Sequence, residues 1–286
     1  MPNLKNFLPY TAADAIPDDV FDTALEIRMR SGQNLAVRCP DNCLETDIPV
    51  TPQLLSETLQ NICGYSLYAY ANDIARGFVT FEGARVGIGG QVIFSDGESR
   101  GIRTVSSLNI RAAREIKGCA DDIYDSIKSG NKVYNTIIAS PPLCGKTTLL
   151  RDIARRLGND GINVSLIDER DELASLDSTG TPRLDVGRCT DVLSGCDKHT
   201  GIMMALRSLA PQVIILDEIG ESADIPAINR ALTGGVSVIC TAHADSLKTL
   251  KAKKYIRPLF ADKLFERLII LNGIGSREIT ELDEKC

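Results

Sequence analysis

The stretch that decides the fold passes from an apolar segment into a short loop, and it reads Ile137-Ile138-Ala139-Ser140-Pro141-Pro142-Leu143-Cys144-Gly145-Lys146-Thr147-Thr148-Leu149-Leu150. Residues 135–139 have the composition of a buried strand, and Gly145-Lys146-Thr147 opens a helix-like run. In a phosphate-binding loop, backbone N–H groups at a helix N-terminus cradle phosphates, the lysine reaches the outer phosphates and the threonine hydroxyl binds Mg²⁺. The stretch from Ser140 to Thr148 is therefore predicted to bind the phosphates of ATP.

One position of this loop departs from the usual pattern, which has glycine five residues before the second glycine. Ser140 occupies that position here, whereas Gly145 is retained where the backbone approaches phosphate. The two prolines that follow Ser140 stiffen the loop and lower the entropic cost of holding its amides in place. Ser140, Leu143 and Cys144 are expected to weaken nucleotide binding without abolishing it.

A second apolar strand ends in two acids, Asp217 and Glu218, after Val213-Ile214-Ile215-Leu216. In ATPases with a phosphate-binding loop, such a strand lies beside the strand that leads into the loop. Asp217 is predicted to hold Mg²⁺, directly or through its water shell. Glu218 is predicted to orient or deprotonate the attacking water.

Two further strand-like runs end in residues that carry chemistry, Asp168-Glu169-Arg170 and Thr241-Ala242-His243. Because ligands bind at the carboxyl ends of strands in open α/β sheets, Glu169 is a second candidate for water activation. The alternative is a solvated strand end without a catalytic role. His243 is either a sensor of the terminal phosphate or a structural histidine.

Several cations are further candidates for contacts at the predicted site. Residues 176–201 contain few apolar side chains, and loops of that length in compact domains are usually functional or disordered. An arginine from a neighbouring subunit often neutralises charge during phosphoryl transfer, and the candidates for a phosphate or interface contact are Arg183, Arg188, Lys198 and Arg207. A basic run at Lys248, Lys251, Lys253, Lys254 and Arg257 favours a solvated helix face, with contact to anionic lipid or an acidic partner as the alternative.

The composition restricts the class of protein. The 286 residues suit two domains, and the net charge of −6 argues against broad binding to nucleic acid, which needs a cationic surface. No apolar stretch reaches the roughly 20 residues of a membrane span, and the first ten residues lack the pattern of a secretory signal. The odd number of scattered cysteines favours a reducing cytoplasm, and their spacing does not favour a zinc site.

The order of elements predicts an α/β protein of two domains. Residues 1–125 are interpreted as a mixed α/β domain and 126–133 as a linker, after which residues 134–286 alternate strand-like and helical runs. That alternation indicates a mostly parallel sheet flanked by helices. In the first domain, Glu26–Arg30 and Leu35–Val37 are predicted to form a hairpin, and Thr51-Pro52 to begin a helix. Gly87–Gly90 lies within a strand pattern and is interpreted as a bulge or a close backbone approach.

In combination, these motifs resemble the stage III sporulation protein AA family, which is similar to the motor ATPases of type II and type IV secretion and of type IV pili. In the first half, the residues that carry the resemblance are Glu26-Ile27-Arg28-Met29-Arg30, Ser66-Leu67-Tyr68-Ala69, Arg76-Gly77, Arg85-Val86-Gly87, Ser107-Leu108-Asn109-Ile110-Arg111 and Ala113-Arg114-Glu115-Ile116-Lys117-Gly118. In the second half they are Pro141-Pro142, Gly145 to Asp152, Asp168-Glu169-Arg170, Gly187-Arg188, Thr190 to Leu193, Arg207-Ser208, Asp217-Glu218-Ile219-Gly220 and Thr241-Ala242-His243.

The resemblance implies a RecA-like P-loop ATPase core with a smaller N-terminal domain. It implies an acidic box at Asp168-Glu169, a Mg²⁺ strand at Asp217-Glu218 and a histidine box at His243. By the same resemblance, the protein is a cytoplasmic ATPase, peripheral at the membrane through partners. It would energise or gate a secretion-like channel complex between mother cell and forespore, touch the membrane proteins of that complex and form a hexameric ring.

A secretion-type or pilus-type motor in another context is one alternative to an ATPase of the sporulation channel, and two others remain at the level of sequence. The altered loop motivates an ATP-binding scaffold or regulator that scarcely hydrolyses. A nucleic-acid motor on the same core is the other, and the acidic composition counts against it.

Overall fold

The computed structural model describes residues 4–39, 42–81, 83–95, 97–112, 115–142, 144–177, 179–220, 222–261, 264–273 and 276–282. Leu143, one of the predicted loop residues, lies outside these ranges. The chain divides into two compact units, residues 1–114 and residues 115–286. Within the described ranges, none of the helices is both long and apolar enough to cross a lipid bilayer.

The first unit is a six-stranded antiparallel sheet with short helices. The helices are α1 (Tyr10–Ala13), α2 (Asp18–Thr23), α3 (Pro52–Ile62) and α4 (Ala71–Ala75), with 3₁₀ turns at Leu4–Phe7 and Leu67–Tyr70. The strands are β1 (Glu26–Arg30), β2 (Asn34–Arg38), β3 (Cys43–Pro49), β4 (Phe78–Phe81), β5 (Ala84–Ser95) and β6 (Glu98–Ala112). They pair in the order β3-β2-β1-β6-β5-β4.

Local sequence accounts for several features of this unit. The Thr51 hydroxyl accepts a hydrogen bond from the Leu54 N–H, and Pro52 stands at the first helical position, so α3 begins where predicted. The register of the β5–β6 hairpin shifts at Gly89/Gly90. A Cβ on Gly90 would lie 2.1 Å from the Thr104 carbonyl oxygen, which confirms the predicted bulge and close backbone approach.

The second unit is a mostly parallel sheet with helices on both faces. Its helices are α5 (Tyr124–Ile127), α6 (Lys146–Asn159), α7 (Lys198–Ser208), α8 (Ile225–Thr233), α9 (Leu247–Ala252) and α10 (Arg257–Ala261). Its strands are β7 (Lys128–Ser129), β8 (Lys132–Val133), β9 (Thr136–Ser140), β10 (Val164–Asp168), β11 (Thr190–Ser194), β12 (Val213–Leu216), β13 (Ser237–His243), β14 (Arg267–Gly273) and β15 (Ser276–Glu281). The main sheet has the order β11-β10-β12-β13-β9-β14-β15, parallel except for the antiparallel edge strand β15.

The central strands are apolar because both of their faces are covered. β9, β10 and β12 are buried at every position. Neighbouring residues of β9 belong to cores on opposite faces of the sheet, since Ile137 packs with α7 and α8 while Ile138 packs with α6. Parallel strands that are buried on both faces have such continuous apolar runs, which is why the sequence could locate them.

The division of the chain lies ahead of the predicted linker. Residues 126–133, interpreted above as a linker after residue 125, form the end of α5 and the β7–β8 hairpin. Ile123, Ile127 and Val133 are buried in the same core as Ile138 and α6. Residues 115–133 therefore belong to the second compact unit, because their apolar side chains cover part of its sheet.

The stretch 176–201, predicted to be a long loop, contains an edge strand. β11 pairs in parallel with β10 over its full length, from Val164 opposite Thr190 to Asp168 opposite Ser194. Its sequence, Thr-Asp-Val-Leu-Ser, lacks the apolar run of a central strand because only one of its edges is paired and most of its residues are half-buried. The remainder of the stretch is irregular or turn-forming where it is described, until α7 begins at Lys198.

Candidate active site

The carboxyl ends of four parallel strands lie along one side of the second unit's sheet, and a predicted site segment lies at or directly after each of them. β9 ends at Ser140, β10 at Asp168, and β13 at His243, which is paired with Ser140 in the register. β12 ends at Leu216, directly before Asp217 and Glu218. The sequence analysis expected β12 to lie beside the strand that leads into the loop, but β13 lies between β12 and β9. The two segments therefore meet through their strand ends and not as neighbouring strands. The fold thus brings together the phosphate-loop, acidic, Mg²⁺ and histidine segments that the sequence analysis singled out.

The loop between β9 and α6 has the geometry of an anion site. Gly145 has a φ of +83° directly before the first residue of α6, a conformation that glycine adopts without strain. Among the described residues beyond its two chain neighbours, no atom lies within 4 Å of a Cβ built on Gly145, so conformation rather than space explains the glycine. The Leu149 N–H donates to the Gly145 carbonyl, and the first N–H groups of α6 point out of the helix end.

The Lys146 amine is held inside its own loop. Its Nζ lies 3.3 Å from the Ser140 carbonyl, 3.0 Å from the Ser140 Oγ, 3.1 Å from the Pro141 carbonyl and 3.1 Å from His243 Nδ1, so its three N–H groups are shared among four neighbours. Burial lowers the pKa of Lys146, and the charges of Glu218 and Asp217 oppose that change. The amine of Lys146 therefore contacts only groups of its own loop and His243 among the described residues.

Ser140, the residue that breaks the usual pattern, has a specific role in this arrangement. The side chain is fully buried, and its Oγ donates to the Pro141 carbonyl at 2.6 Å while it accepts from Lys146. A glycine at this position offers no hydroxyl to the lysine. The serine thus adds a hydrogen bond that holds Lys146 in the loop.

The Asp217 carboxylate is fixed by two hydroxyl groups. Thr241 Oγ1 donates to Oδ1 at 3.1 Å, and Thr147 Oγ1 lies 3.4 Å from Oδ2. Mg²⁺ prefers oxygen ligands and is usually bound through one or two protein groups together with substrate phosphates. The adjoining oxygens of Thr147 and Asp217 fit that requirement, with Thr241 orienting the carboxylate. The sequence analysis did not assign a role to Thr241.

His243 connects the loop lysine with the acidic strand end. His243 Nε2 lies 3.0 Å from Glu218 Oε2, and its Nδ1 lies 3.1 Å from Lys146 Nζ. An ammonium group only donates, so with Lys146 charged Nδ1 is the acceptor and Nε2 carries the proton that Glu218 accepts. Lys146, His243 and Glu218 therefore form one line of polar contacts beside the phosphate-binding loop.

The two residues of the acidic box have different surroundings. Asp168 is buried and accepts backbone N–H groups of residues 172–174 at 2.8–3.0 Å. Burial raises the pKa of Asp168 to about 6, and these hydrogen bonds oppose the rise. Glu169 is half-exposed and forms an ion pair with Lys198 at the start of α7. Asp168 thus folds the loop after β10, whereas Glu169 is neutralised by a cation.

A buried arginine that the sequence analysis did not assign joins this loop to α6. Arg151 is 3% exposed, and its guanidinium donates at 2.6 Å to the carbonyls of Leu173 and Glu172. Burial lowers the pKa of Arg151, with the charge of Asp168 opposing. The loop after β10 is therefore tied both to its own strand and to the helix that begins at the phosphate-binding loop. No short-range pattern indicates this role, because its partners are carbonyls 21 and 22 residues away.

Other predicted site residues differ in their positions. Pro141, Pro142, Cys144 and Thr148 lie in the loop or the first turn of α6. Arg207 is exposed in the last turn of α7, which precedes β12, so it lies toward the opposite edge of the sheet. Arg188 is exposed just before β11, toward that same edge. Neither arginine is brought to the site of its own chain.

Most of the sequence matches a family of sporulation proteins. Residues 15–281 match the family described as "Sporulation stage III, protein AA". Stage III sporulation protein AA of Bacillus subtilis (strain 168) is 38% identical over 235 residues, which cover 79% of this chain and 76% of that protein.

Among solved structures, the Legionella pneumophila ATPase DotB superposes with a TM-score of 0.59 at 16% identity, covering 92% of this chain and 78% of that one. The pilus retraction motor PilT with bound ADP has a TM-score of 0.58 at 14% identity, covering 91% and 79%. These likenesses confirm the predicted α/β fold, with a mostly parallel sheet in the second unit and a smaller N-terminal unit. The family match over most of the sequence establishes that the chain belongs to the stage III sporulation protein AA family.

Proposed function

We propose that this protein binds ATP with Mg²⁺ at the candidate active site and hydrolyses it to ADP and phosphate. The proposal rests on one observation: two sets of side-chain contacts lie next to each other at the phosphate-binding loop. One joins Thr147 to Asp217 at 3.4 Å, and the other joins Lys146 through His243 to Glu218. Hydrolysis of ATP needs a metal-binding pair, a lysine for the outer phosphates and a group that accepts a proton from water.

Phosphate binding is assigned to the loop and to the start of α6. The N–H groups of the helix N-terminus and the associated partial positive charge favour an anion there. Lys146 exchanges its contacts with Ser140 and Pro141 for the outer phosphates of the nucleotide. Thr147 and Asp217 would hold Mg²⁺, which when bound neutralises charge on the phosphates.

Water activation is assigned to Glu218 rather than to Glu169. Glu218 accepts a hydrogen bond from His243 Nε2 at 3.0 Å, so its carboxylate is oriented beside Lys146 and the loop. Glu169 is paired with Lys198, and that contact occupies its carboxylate. In this assignment, Glu218 takes the proton of the water that attacks the terminal phosphorus, and ADP leaves with its oxygen. His243 also responds to the terminal phosphate, because displacement of Lys146 changes the partner of its Nδ1.

The assembly and the partners belong to the same proposal. Membership of the stage III sporulation family and the fold shared with the pilus retraction motor support a cytoplasmic ATPase, peripheral at the membrane. Its conformational change would energise or gate a channel complex between mother cell and forespore. We further propose a hexameric ring in which Arg207 or Arg188 of one copy contacts the site of the next. Such a role in trans is compatible with their positions away from the site of their own chain.

The direct test is phosphate release by the purified full-length protein. We expect steady phosphate release with ATP and Mg²⁺. Release should stop when EDTA removes the metal, because no metal ion then lies at Thr147 and Asp217 to neutralise the negative charge of the phosphates. The same samples are assayed for nucleotide affinity. Tight binding without release, with the membrane partners also present, would favour the ATP-binding scaffold, and no binding at all would reject the site.

Ser140→Gly tests whether the buried hydroxyl restrains Lys146. We expect the affinity for ADP with Mg²⁺ to rise about fivefold, since one hydrogen bond contributes about 1 kcal/mol net and 1.4 kcal/mol is tenfold. Isothermal titration calorimetry measures the change. Ser140→Ala removes the same hydroxyl but keeps the Cβ, and it should behave like Ser140→Gly. Equal or weaker binding by both variants would show that the hydroxyl does not restrain the lysine.

A further inference from the structure

One lysine of the basic run lies at the same sheet edge as the candidate active site. Lys253 follows α9, and its Nζ donates to the hydroxyl of Tyr255 at 3.3 Å. The Tyr255 hydroxyl in turn donates to the Ile219 carbonyl at 3.4 Å. Lys253 is therefore linked through one side chain to the residue that directly follows Glu218.

The segment that Tyr255 contacts belongs to the same end of the sheet as the candidate active site. The Ile219 N–H donates to the Thr241 carbonyl at 2.8 Å, and Thr241 also fixes the Asp217 carboxylate. The Tyr255 hydroxyl thus meets the stretch that carries Asp217 and Glu218 just beyond the end of β12. This contact brings the turn after α9 to the site from a different part of the chain.

The electrostatic relation between Lys253 and Lys146 agrees with this placement. Burial lowers the pKa of Lys146 most, Glu218 and Asp217 oppose that change, and the positive charge of Lys253 adds to it. Two ammonium groups that approach each other repel, and an anion between them relieves the repulsion. Lys146 in the loop, and Lys253 linked through Tyr255 to the segment of Asp217 and Glu218, together suit a ligand with several negative charges and a metal ion.

The other cations of the basic run have different positions. Lys254 and Lys248 are exposed. The Lys251 Nζ lies 5.7 Å from the centroid of the Phe260 ring. The expectation of a solvated helix face holds for Lys248 in α9, whereas Lys253 and Lys254 lie in the turn between α9 and α10. Lys253 is half-buried against Tyr255. The run therefore contains one lysine that contacts the segment after Glu218 through Tyr255, and an exposed neighbour, Lys254, that serves as its control.

We propose that Lys253 is a second cationic contact for the terminal phosphate of ATP, supplied by the same chain and positioned by the Tyr255 hydroxyl. The inference rests on the proposed function and adds a residue to it. Negative charge is spread over the oxygens of the transferred phosphoryl group, and a cation near them stabilises the transition state. ADP lacks the terminal phosphate, so Lys253 should distinguish the two nucleotides.

The test compares Lys253→Ala, Lys253→Arg and Tyr255→Phe with the exposed control Lys254→Ala in the full chain. For Lys253→Ala we expect kcat to fall about 10-fold to 100-fold. This loss is smaller than the loss expected when a principal charge-stabilising group is removed. The affinity of this variant for the non-hydrolysable imido analogue of ATP should fall at least about fivefold, which corresponds to about 1 kcal/mol of binding free energy. Its affinity for ADP should stay unchanged. Lys253→Arg should recover part of both losses, Tyr255→Phe should show a smaller loss, and Lys254→Ala should match wild type.

Two results would overturn the assignment of Lys253. One is a Lys253→Ala protein that keeps the wild-type kcat and the wild-type ratio of analogue to ADP affinity. The other is an equal loss in Lys254→Ala, which would indicate general electrostatics rather than a positioned contact. Failure of the proposed function gives a different pattern, namely a wild-type protein without phosphate release. The analogue and ADP affinities still report on Lys253 in that case.

Discussion

Lys146→Ala is expected to reduce ATP turnover by about 10²–10³-fold, the usual cost of removing one principal charge-stabilising group from an active site. Lys146 is the buried cation at the phosphate-binding loop, and its amine already lies within 3.3 Å of four loop and histidine atoms. Without it, the outer phosphates lose their main cationic contact. Steady-state phosphate release with ATP and Mg²⁺ measures the effect.

The matched control for this substitution is Lys132→Ala. Lys132 is an exposed lysine of the hairpin before β9 and pairs with Glu266 at 2.6 Å, away from the strand ends that form the site. An exposed ion pair contributes about 0–1 kcal/mol to stability, so this variant should keep its turnover. Thermal unfolding of both variants shows whether the fold is intact. Phosphate release that Lys146→Ala leaves unchanged would mean that the measured activity does not come from this site.

Glu218→Gln is expected to lower kcat by about 10²–10⁴-fold, the range over which a positioned general base contributes. The amide keeps the size of the side chain but cannot take the proton from water. The contact with His243 Nε2 is retained through the amide oxygen, so nucleotide affinity should stay near that of wild type. Phosphate release and titration with the non-hydrolysable analogue, measured on the same samples, separate the chemical step from binding.

Glu169→Gln is the comparison that decides between the two acids. Glu169 forms an ion pair with Lys198 and is 40% exposed, so its loss should change kcat less than about threefold and stability by about 0–1 kcal/mol. A protein in which Glu169→Gln is inactive and Glu218→Gln is active would reverse the assignment. In that case, the ion pair with Lys198 would have to open during turnover.

The parallel core is accessible from the sequence because its signals are local. β9, β10 and β12 are short apolar runs, and buried parallel strands have that composition on both faces. The residues after these strands then meet at one edge, since parallel strands point the same way. For this reason the order of residues alone groups the loop from Ser140 to Thr148 with Asp217, Glu218 and His243.

Other features have no local signal. The edge strand β11 lacks an apolar run because it is paired on one side and half-buried, so its composition predicts a loop. The segment 126–133 is polar and contains a glycine, which is typical of a linker. Its position in the second unit depends on Ile127 and Val133, which pack against a core formed by residues far along the chain.

The α/β core, the strand, loop and helix around Ser140 to Thr148 and the acids at the strand ends follow from the amino-acid sequence alone, because each of them is specified by neighbouring residues. Which of these groups touch is a property of the tertiary structure. The fold joins Lys146 to Ser140 and His243, pairs Glu169 with Lys198 and brings Lys253 beside the segment of Glu218. Such contacts depend on the packing of elements tens of residues apart, and the spacing of residues along the chain carries no information about them.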